Sequence, residues 1–309
     1  MNKKVCPKCG SSNTKKNGTR NGVQLYKCLA CKYQFRSGKI EHSTDLWNAY
    51  QNHKQTIQQI ADLHHISASS VKRKLRCIEY KWQQPNIAGL SGYVHLDVTY
   101  WGHQWGVLLA LDDATCKPLY LAFTKSETIQ DFRTAVDDIT TAGYIIRGLI
   151  VDGKKALFKE FREYPMQMCQ FHMVQIIRRY LTNNPKTKAA IDLMLLMREM
   201  KYMDKERFET RFAAWKEQYD ELLNKRVTRK DGKVCYLHRR MRTAMHSVEF
   251  YLPYLFTYRN PEHNGMPNTN NKIEGTFSDL KKLLNNHHGM SMENRKRFII
   301  GFFLQRLNE

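Results

Sequence analysis

Residues 92–124 read GYVHLDVTYWGHQWGVLLALDDATCKPLYLAFT. Three runs inside that stretch, Gly92–Trp101, Gln104–Asp112 and Leu119–Thr124, are rich in Val, Leu, Tyr and Trp, side chains that suit a pleated, half-buried surface. Asp112–Asp113 and Thr115–Pro118 supply turn signals before the third run. Three hairpin-linked strands are therefore expected. Beyond them, Phe132, Val136 and Ile139 fall on one stripe of Ile129–Thr141, the spacing of an amphipathic helix. Ile145–Val151 reads as a fourth strand stopped by Asp152-Gly153, Phe158–Phe161 as a short helix, and Met166–Phe171 as a fifth strand.

From Val174 to Tyr258 the pattern is helical, in Ala189–Met200, Phe208–Leu223 and Met241–Phe256. One interruption, Lys225–Arg242, carries eight Lys and Arg and a single acid, Asp231. A polar loop, Asn260–Asn271, holds Pro261, Gly265 and Pro267, and Lys272–Leu307 is helical apart from a break at His287–Gly289. Three hairpin strands, helix, strand, helix, strand is the order of a ribonuclease H-like core. The fold class expected is α/β: such a core over residues 92–309, interrupted by an all-helical insertion at about residues 175–265.

Two other modules are expected ahead of it. In residues 1–40, Cys6-x2-Cys9 and Cys28-x2-Cys31 are separated by eighteen residues. Each knuckle turns two sulfurs toward one cation, so the four match a closed, structural Zn2+ site of the zinc-ribbon kind. A set of buried or reactive thiols, or an iron–sulfur cluster, is the alternative. A module this small and polar lacks the core to fold without metal. Asn17-Gly18 and Asn21-Gly22 read as turns, followed by a strand at Val23–Lys27. Residues 41–84 read as a helix-turn-helix. Ile57, Ile60, Ala61 and Leu63 form the inner face of a first helix, Ile66 plugs the turn, and Ser67 caps a second helix that points Val71 and Leu75 inward. Its outward Ser69, Ser70, Lys72, Arg73 and Arg76 offer polar groups for base edges and cations for phosphates. An ordinary helical hairpin with a solvated basic face is the plain reading of the same residues. Pro85–Gly92 is a linker.

The formal charge of +21 agrees with a polyanionic partner. Residues 1–90 hold 16 Lys and Arg against 4 Asp and Glu, and the rest 34 against 25, so the N-terminal part is the more densely basic. A ribosomal, RNA-associated or merely basic protein fits charge alone. Apolar residues make up 42% of the chain, enough for a sizeable core. No run of about 18 apolar residues exists and the start lacks the apolar stretch of a signal peptide, so an intracellular protein with no membrane partner is expected.

Three acids stand where phosphodiester chemistry wants them: Asp97 in the first core strand, Asp152 at the end of the fourth, and Glu274 at the opening of a late helix. Clustered carboxylates can hold two hard divalent ions about 3.5–4 Å apart. Each also has a plain explanation. Asp97 can face water, Asp152-Gly153 is a standard turn pair, and Asn271 with Glu274 has the spacing of a capping box. Asp112–Asp113 and Asp137–Asp138 are rival acids, the first pair reading as a turn and the second as the exposed side of a helix.

Taken in order, the Asp97 strand, Val151-Asp-Gly-Lys-Lys-Ala-Leu157, Cys169-Gln-Phe-His172 and Asn271-x-x-Glu274 resemble the DDE transposases of bacterial insertion sequences, in their mutator-like branch. The resemblance covers nearly all of residues 90–309, including a helical insertion between the second Asp and the Glu, here 122 positions apart. It implies that Asp97, Asp152 and Glu274 bind two Mg2+ (or Mn2+) ions, that water makes the first nick at an element's end, and that the freed 3′-hydroxyl attacks target DNA. Double-stranded DNA, both terminal inverted repeats and target, is the implied partner, with a homodimer or larger assembly to synapse two ends, in the bacterial cytoplasm on the nucleoid. Cys169 and His172 belong to the family's Cys-x2-His signature and read as a packing and hydrogen-bond pair near the metals rather than a zinc site. Asn271 is expected to orient Glu274 or the DNA. Trp215 is either a core residue or a platform for a flipped base. Lys154 and Lys155, where relatives are expected to vary, suit phosphate contact. A non-catalytic DNA-binding relative and a junction resolvase are the rival functions.

Overall fold

The computed structural model describes residues 4–20, 23–36, 43–102, 105–287 and 289–308. The expectations placed on Asn21-Gly22, Gln104, His288 and the boundary at residues 40–41 lie outside them. The chain divides into two compact units, Met1–Glu79 and Tyr80–Glu309.

In the first unit, β1 (Thr14–Arg20), β2 (Val23–Cys28) and β3 (Gln34–Arg36) form an antiparallel sheet in that order. Asn17-Gly18 is not a turn between strands. It lies inside β1, where the register shifts between Lys16 and Thr19 and Gly18 takes φ +75°. A bulge needs the same left-handed conformation as a turn, so the dipeptide alone does not separate them. Three helices follow: α1 (Ser43–Gln51), α2 (Ile57–Leu63) and α3 (Ala68–Arg76). Thr56 and Gln59 make a reciprocal capping box at α2, and the Ser67 hydroxyl accepts from Ser70 N–H at 3.1 Å to start α3. Leu46, Ile60, Ala61, Val71 and Leu75 are buried. Leu63 was expected inside but is 61% exposed. The buried stripe of α2 centres between Ile60 and Ala61, and Leu63 lies about 110° around the helix from that centre.

The second unit is mixed α/β. β4 (Ser91–Trp101), β5 (Trp105–Asp112) and β6 (Pro118–Thr124) are joined as antiparallel neighbours. After α4 (Ile129–Thr141), β7 (Ile145–Val151) pairs parallel to β4; after α5 (Lys155–Glu160), β8 (Met166–Met168) pairs parallel to β7. The sheet order is β6-β5-β4-β7-β8, so the strand carrying Asp97 is central. Chain order matches the sequence expectation except at the fifth strand. It ends at Met168 rather than Phe171, because Gln170 already opens α6 (Gln170–Leu181).

Alternation decides which strand residues face which layer. Val94 and Leu96 of β4, with Leu108 and Ala110 of β5, share a core with Phe132, Ala135, Val136 and Ile139 of α4. Burying each large apolar side chain contributes about 1.5–3 kcal/mol. His95, Asp97 and Thr99 point to the opposite face, against which α11 (Asn271–Asn285) packs on β4; α12 (Met292–Asn308) packs on β6. Between α6 and α11 run α7 (Lys188–Glu199), α8 (Lys205–Gln218), α9 (Asp220–Asn224), a two-stranded ribbon of β9 (Arg226–Thr228) and β10 (Val234–Tyr236), and α10 (Arg239–Leu255). These helices share one continuous core with the sheet, from Leu149 and Val151 to Phe208, Phe212, Val248 and Tyr251. Trp215 is part of it. Its ring is 5% exposed, stacks on Phe212, and donates from Nε1 to the Ala189 carbonyl at 2.9 Å. The base-platform reading of Trp215 is therefore set aside in favour of the core one. Among the described residues no helix is long and apolar enough to cross a membrane.

Candidate functional site

In the N-terminal unit the Sγ atoms of Cys6, Cys9, Cys28 and Cys31 all lie within 4.8 Å of one another, a group that can hold a metal ion. Cys6 is 3.6 Å from Cys31 and Cys9 is 3.6 Å from Cys28, so each contact crosses between the two knuckles. The β2–β3 pairing and the bond from Cys28 N–H to the Tyr33 carbonyl hold the second knuckle, and Gly10 N–H to the Cys6 carbonyl closes the first. The thiols do not ionise independently. The Cys31 backbone N–H, above all, holds Cys28 down to about 6. At Cys9 the Ser11 N–H pulls the same way, but hydrogen bonds with the other sulfurs push it up to about 12. A divalent cation at the centre removes that competition by favouring thiolate at every position.

On α3, Ser69, Lys72, Arg73 and Arg76 are exposed. Ser70 is half-buried and turned to the cap, its hydroxyl 2.9 Å from that of Ser67, so it is the least available of the five.

The three acids arrive from separate elements. Asp97 lies in β4, Asp152 directly follows β7, and Glu274 is in the first turn of α11. β4 and β7 are parallel neighbours, which brings the C-terminal end of β7 beside the middle of β4. Burial, then the Asp152 charge, with further contributions from Glu274 and Glu127, hold the Asp97 carboxyl well above the usual carboxylate range against a 2.8 Å bond from Val98 N–H. The acids thus share one electrostatic field. Asp152 also accepts from Lys154 N–H at 3.2 Å, so the turn role read from Asp-Gly coexists with the clustering. Gly153 is closely approached: a Cβ there would lie 2.4 Å from Ile176 Cδ1, the end of a side chain that would have to shift. The Gly153 carbonyl accepts from the buried Tyr251 hydroxyl of α10.

Glu274 keeps different company from the other two. Its carboxylate, Cys169 Sγ and a ring nitrogen of His172 lie within 4.8 Å of one another. His172 Nδ1 is 3.6 Å from Glu274 Oε1, and both atoms are buried with no hydrogen-bond partner. Burial pushes the Cys169 thiol up to about 11, so it stays protonated, and its sulfur accepts from Asn270 N–H at 3.2 Å. Gln170 N–H reaches the Asn268 carbonyl at 3.0 Å. The Cys-x2-His turn therefore docks the loop that leads into α11.

Asn270, rather than Asn271, is the buried asparagine of this region. α11 starts at Asn271, whose side chain is exposed, and its N-cap is Asn270 with no side-chain capping bond, so the capping box read between Asn271 and Glu274 is absent. The Asn270 amide oxygen is instead 2.6 Å from His95 Nδ1. His95 Nε2 meets Asp113 at 2.9 Å, and Lys272 meets the same carboxylate at 2.9 Å. Burial raises Asp113, but bonds from His95 and Lys272 outweigh it and hold the carboxyl below the usual range. This chain of contacts ties the strand of Asp97 to the helix of Glu274. Sequence reading missed it because adjacent asparagines look alike and because His95 and Asn270 are 175 positions apart.

The rival acids are structural. Asp112 accepts from Thr115 and Tyr144, and Asp137 and Asp138 are exposed on α4. Glu127, just before α4, is a further acid that bears on Asp97 and that the sequence did not flag. Burial and the Asp152 charge hold it above its ordinary range even though Lys154 Nζ sits 3.1 Å away. Lys154 is thereby engaged within the protein, while Lys155 is exposed with its ammonium over the Phe250 ring.

No family model matches the sequence, and neither does any curated protein. Among solved structures, the Drosophila P element transposase strand transfer complex is similar to this chain at a TM-score of 0.45 and 9% identity, over 86% of this chain and 92% of that one. At that likeness nothing about the chemistry of this protein follows from it.

Proposed function

We propose that the chain is a DDE-type DNA transposase of a bacterial insertion sequence, in the mutator-like branch. The observation that supports the reading is the parallel pairing of β4 and β7, His95 opposite Ile150, which sets Asp152 beside Asp97, with Glu274 near enough to bear on the same buried carboxyl. Mutually repelling, partly buried carboxylates persist where cations are to be held. The unpaired buried Glu274 Oε1 fits the same demand. Asp97, Asp152 and Glu274 would hold two Mg2+ or Mn2+ ions. Such ions, when bound, activate the attacking oxygen and offset charge on the leaving one.

The residues around the acids then have defined tasks. The His95–Asn270 contact and the Cys169 sulfur fix the entry to α11 and so the direction of Glu274. His172 stands beside Glu274, 3.6 Å from its carboxylate. Tyr251 anchors the Asp152 turn through Gly153. In this reading water opens a phosphodiester at the element's end and leaves a 3′-hydroxyl. That hydroxyl then attacks a target phosphodiester and displaces its 3′-oxygen. The four-cysteine group and three helices of the first unit serve as a Zn2+ ribbon and helix-turn-helix for terminal-repeat DNA, with Ser69, Lys72, Arg73 and Arg76 on the reading face. Joining two ends calls for a dimer or larger assembly, acting on the nucleoid in the bacterial cytoplasm.

The test is the purified full chain with duplex carrying the DNA that flanks its gene. Mg2+-dependent cleavage and strand-transfer products are expected, falling about 10^3-fold or more in Asp97→Asn while DNA binding is retained. Binding without cleavage by the wild type would leave a non-catalytic DNA-binding protein, and junction cleavage without strand transfer a resolvase.

A further inference from the structure

The basic interruption at residues 225–242 is not a loop. β9 and β10 pair antiparallel, Arg226 with Tyr236, Val227 with Cys235 and Thr228 with Val234, and join no other sheet. Gly232, at φ +78°, closes the turn with its N–H on the Arg229 carbonyl. Every residue from Lys225 to Val234 is exposed. Val227 is 41% and Val234 61% exposed. A two-stranded ribbon without a core is marginal in water, so something must hold this one in shape.

That something is at its base. Two guanidinium groups lie over the Tyr236 ring, Arg226 at 5.0 Å and Arg242 at 3.8 Å from its centre. Arg242 also donates to the Leu223 carbonyl at 3.1 Å and to Asn224 at 2.9 Å. The base is thereby fastened to α9 and α10, and the far end stands out in solvent. That end bears Arg229, Lys230 and Lys233, none with an acidic side-chain partner among the described residues. The nearby acid, Asp231, is taken up by its own turn, accepting from Lys233 N–H at 3.2 Å.

We propose that this ribbon is a second DNA-binding element, laid along a duplex beside the acidic site. A two-stranded ribbon has the width to enter a major groove of about 12 Å, and unpaired cations at its end suit phosphates. Charge sets the choice of partner, since an apolar protein partner would leave the cations desolvated and unpaired. The spacing also fits. α10 runs from Arg239 at the ribbon to Tyr251 at the Asp152 turn, twelve residues or about 18 Å along the helix axis. That is about five base pairs at 3.4 Å each. The base of the ribbon is thus within about half a turn of duplex from the Asp152 turn.

The proposal rests on the reading of the chain as a DNA-processing protein but not on catalysis, and its test needs no turnover. Full-length wild type and Arg229→Gln/Lys230→Gln/Lys233→Gln are titrated with a 40-base-pair duplex from 50 to 200 mM salt without added divalent ion. The variant is expected to lose about two to three from the slope of log K against log salt, and at least ~tenfold in affinity at 100 mM. In parallel, acetylation of Lys230 and Lys233 in the wild type is expected to be suppressed by the duplex. An unchanged slope with unprotected lysines overturns the proposal. So does protection that appears without DNA and grows with protein concentration, which would mark an interface between copies. Because the substituted residues are fully outside the core, the variant keeps the wild-type melting curve. If Asp97→Asn retains protection while no cleavage is ever seen, the ribbon stands and the transposase reading falls. If cleavage is seen with the lysines unprotected, the reverse holds.

Discussion

The four cysteines come together from positions no more than 25 apart, held by two tight turns and a short sheet, whereas Asp97, Asp152 and Glu274 come from a central strand, the end of its neighbour and a helix near the C-terminus. The first group is assembled by local geometry and can form in a segment with little core. The second exists only when β4, β7 and α11 are packed, and it is assembled against its own repulsion. The contrast shows where each site is vulnerable: the cysteine group to loss of a ligand, the acidic group to loss of what holds its elements in register.

The largest effect should come from the local site. Replacing Cys28 with Ala removes one of the four sulfurs proposed to hold zinc, and a structural zinc supplies about 10–16 kcal/mol to modules of this kind. The N-terminal unit is expected to lose its sheet, read as loss of bound zinc and of amide-exchange protection at β1 and β2. The melting transition of the second unit should stay where it was. A fully folded N-terminal unit in the variant would show that the cysteines are not metal ligands and dissolve the comparison.

A smaller effect is expected from the clamp that joins the acids. Asn270→Ala leaves buried His95 without its Nδ1 partner, a loss of about 1–3 kcal/mol. It also frees the start of α11. Cleavage should fall roughly tenfold or more while duplex affinity changes little, a split that general destabilisation would not give. Equal losses in affinity and cleavage would mark general destabilisation rather than positioning of Glu274.

The smallest effect concerns repulsion itself. Asp97→Asn removes a carboxylate that burial, then Asp152 and Glu274, disfavour, so without added divalent ion its melting temperature should rise, by about 2–4 °C for each 1 kcal/mol relieved. Mg2+ should raise the melting temperature of the wild type and not of the variant. A variant less stable than wild type under both conditions would mean that Asp97 serves the fold rather than an ion.

Much of the fold was legible because the periodic signals were strong. Ile129–Thr141 and Ile145–Val151 are the observed bounds of α4 and β7. The short strand β8 was read too long, since apolar Phe171 continues the strand pattern into the first turn of α6. The β9–β10 ribbon was read as an interruption, because three-residue strands with exposed side chains carry no burial period. At the acidic site the three carboxylates proposed as ion ligands come from resemblance, which does not reach Glu127 or Asn270. Neither sits in a motif, and each matters through a neighbour from elsewhere in the chain, Asp152 and Lys154 for one, His95 and Cys169 for the other.

By itself the sequence determined what is local: the two knuckles and their spacing, the capped helices α2 and α3, the nearly unbroken apolar run of β5, and the dense positive charge of the first 90 residues. These follow from bond geometry, side-chain period and charge, which act over a few residues. Only the tertiary structure decided which acids share a field, which asparagine is buried, and that Trp215 belongs to the core. Those outcomes depend on distances between residues remote in the chain, and such distances are set by how sheet and helices pack rather than by any stretch of sequence read alone.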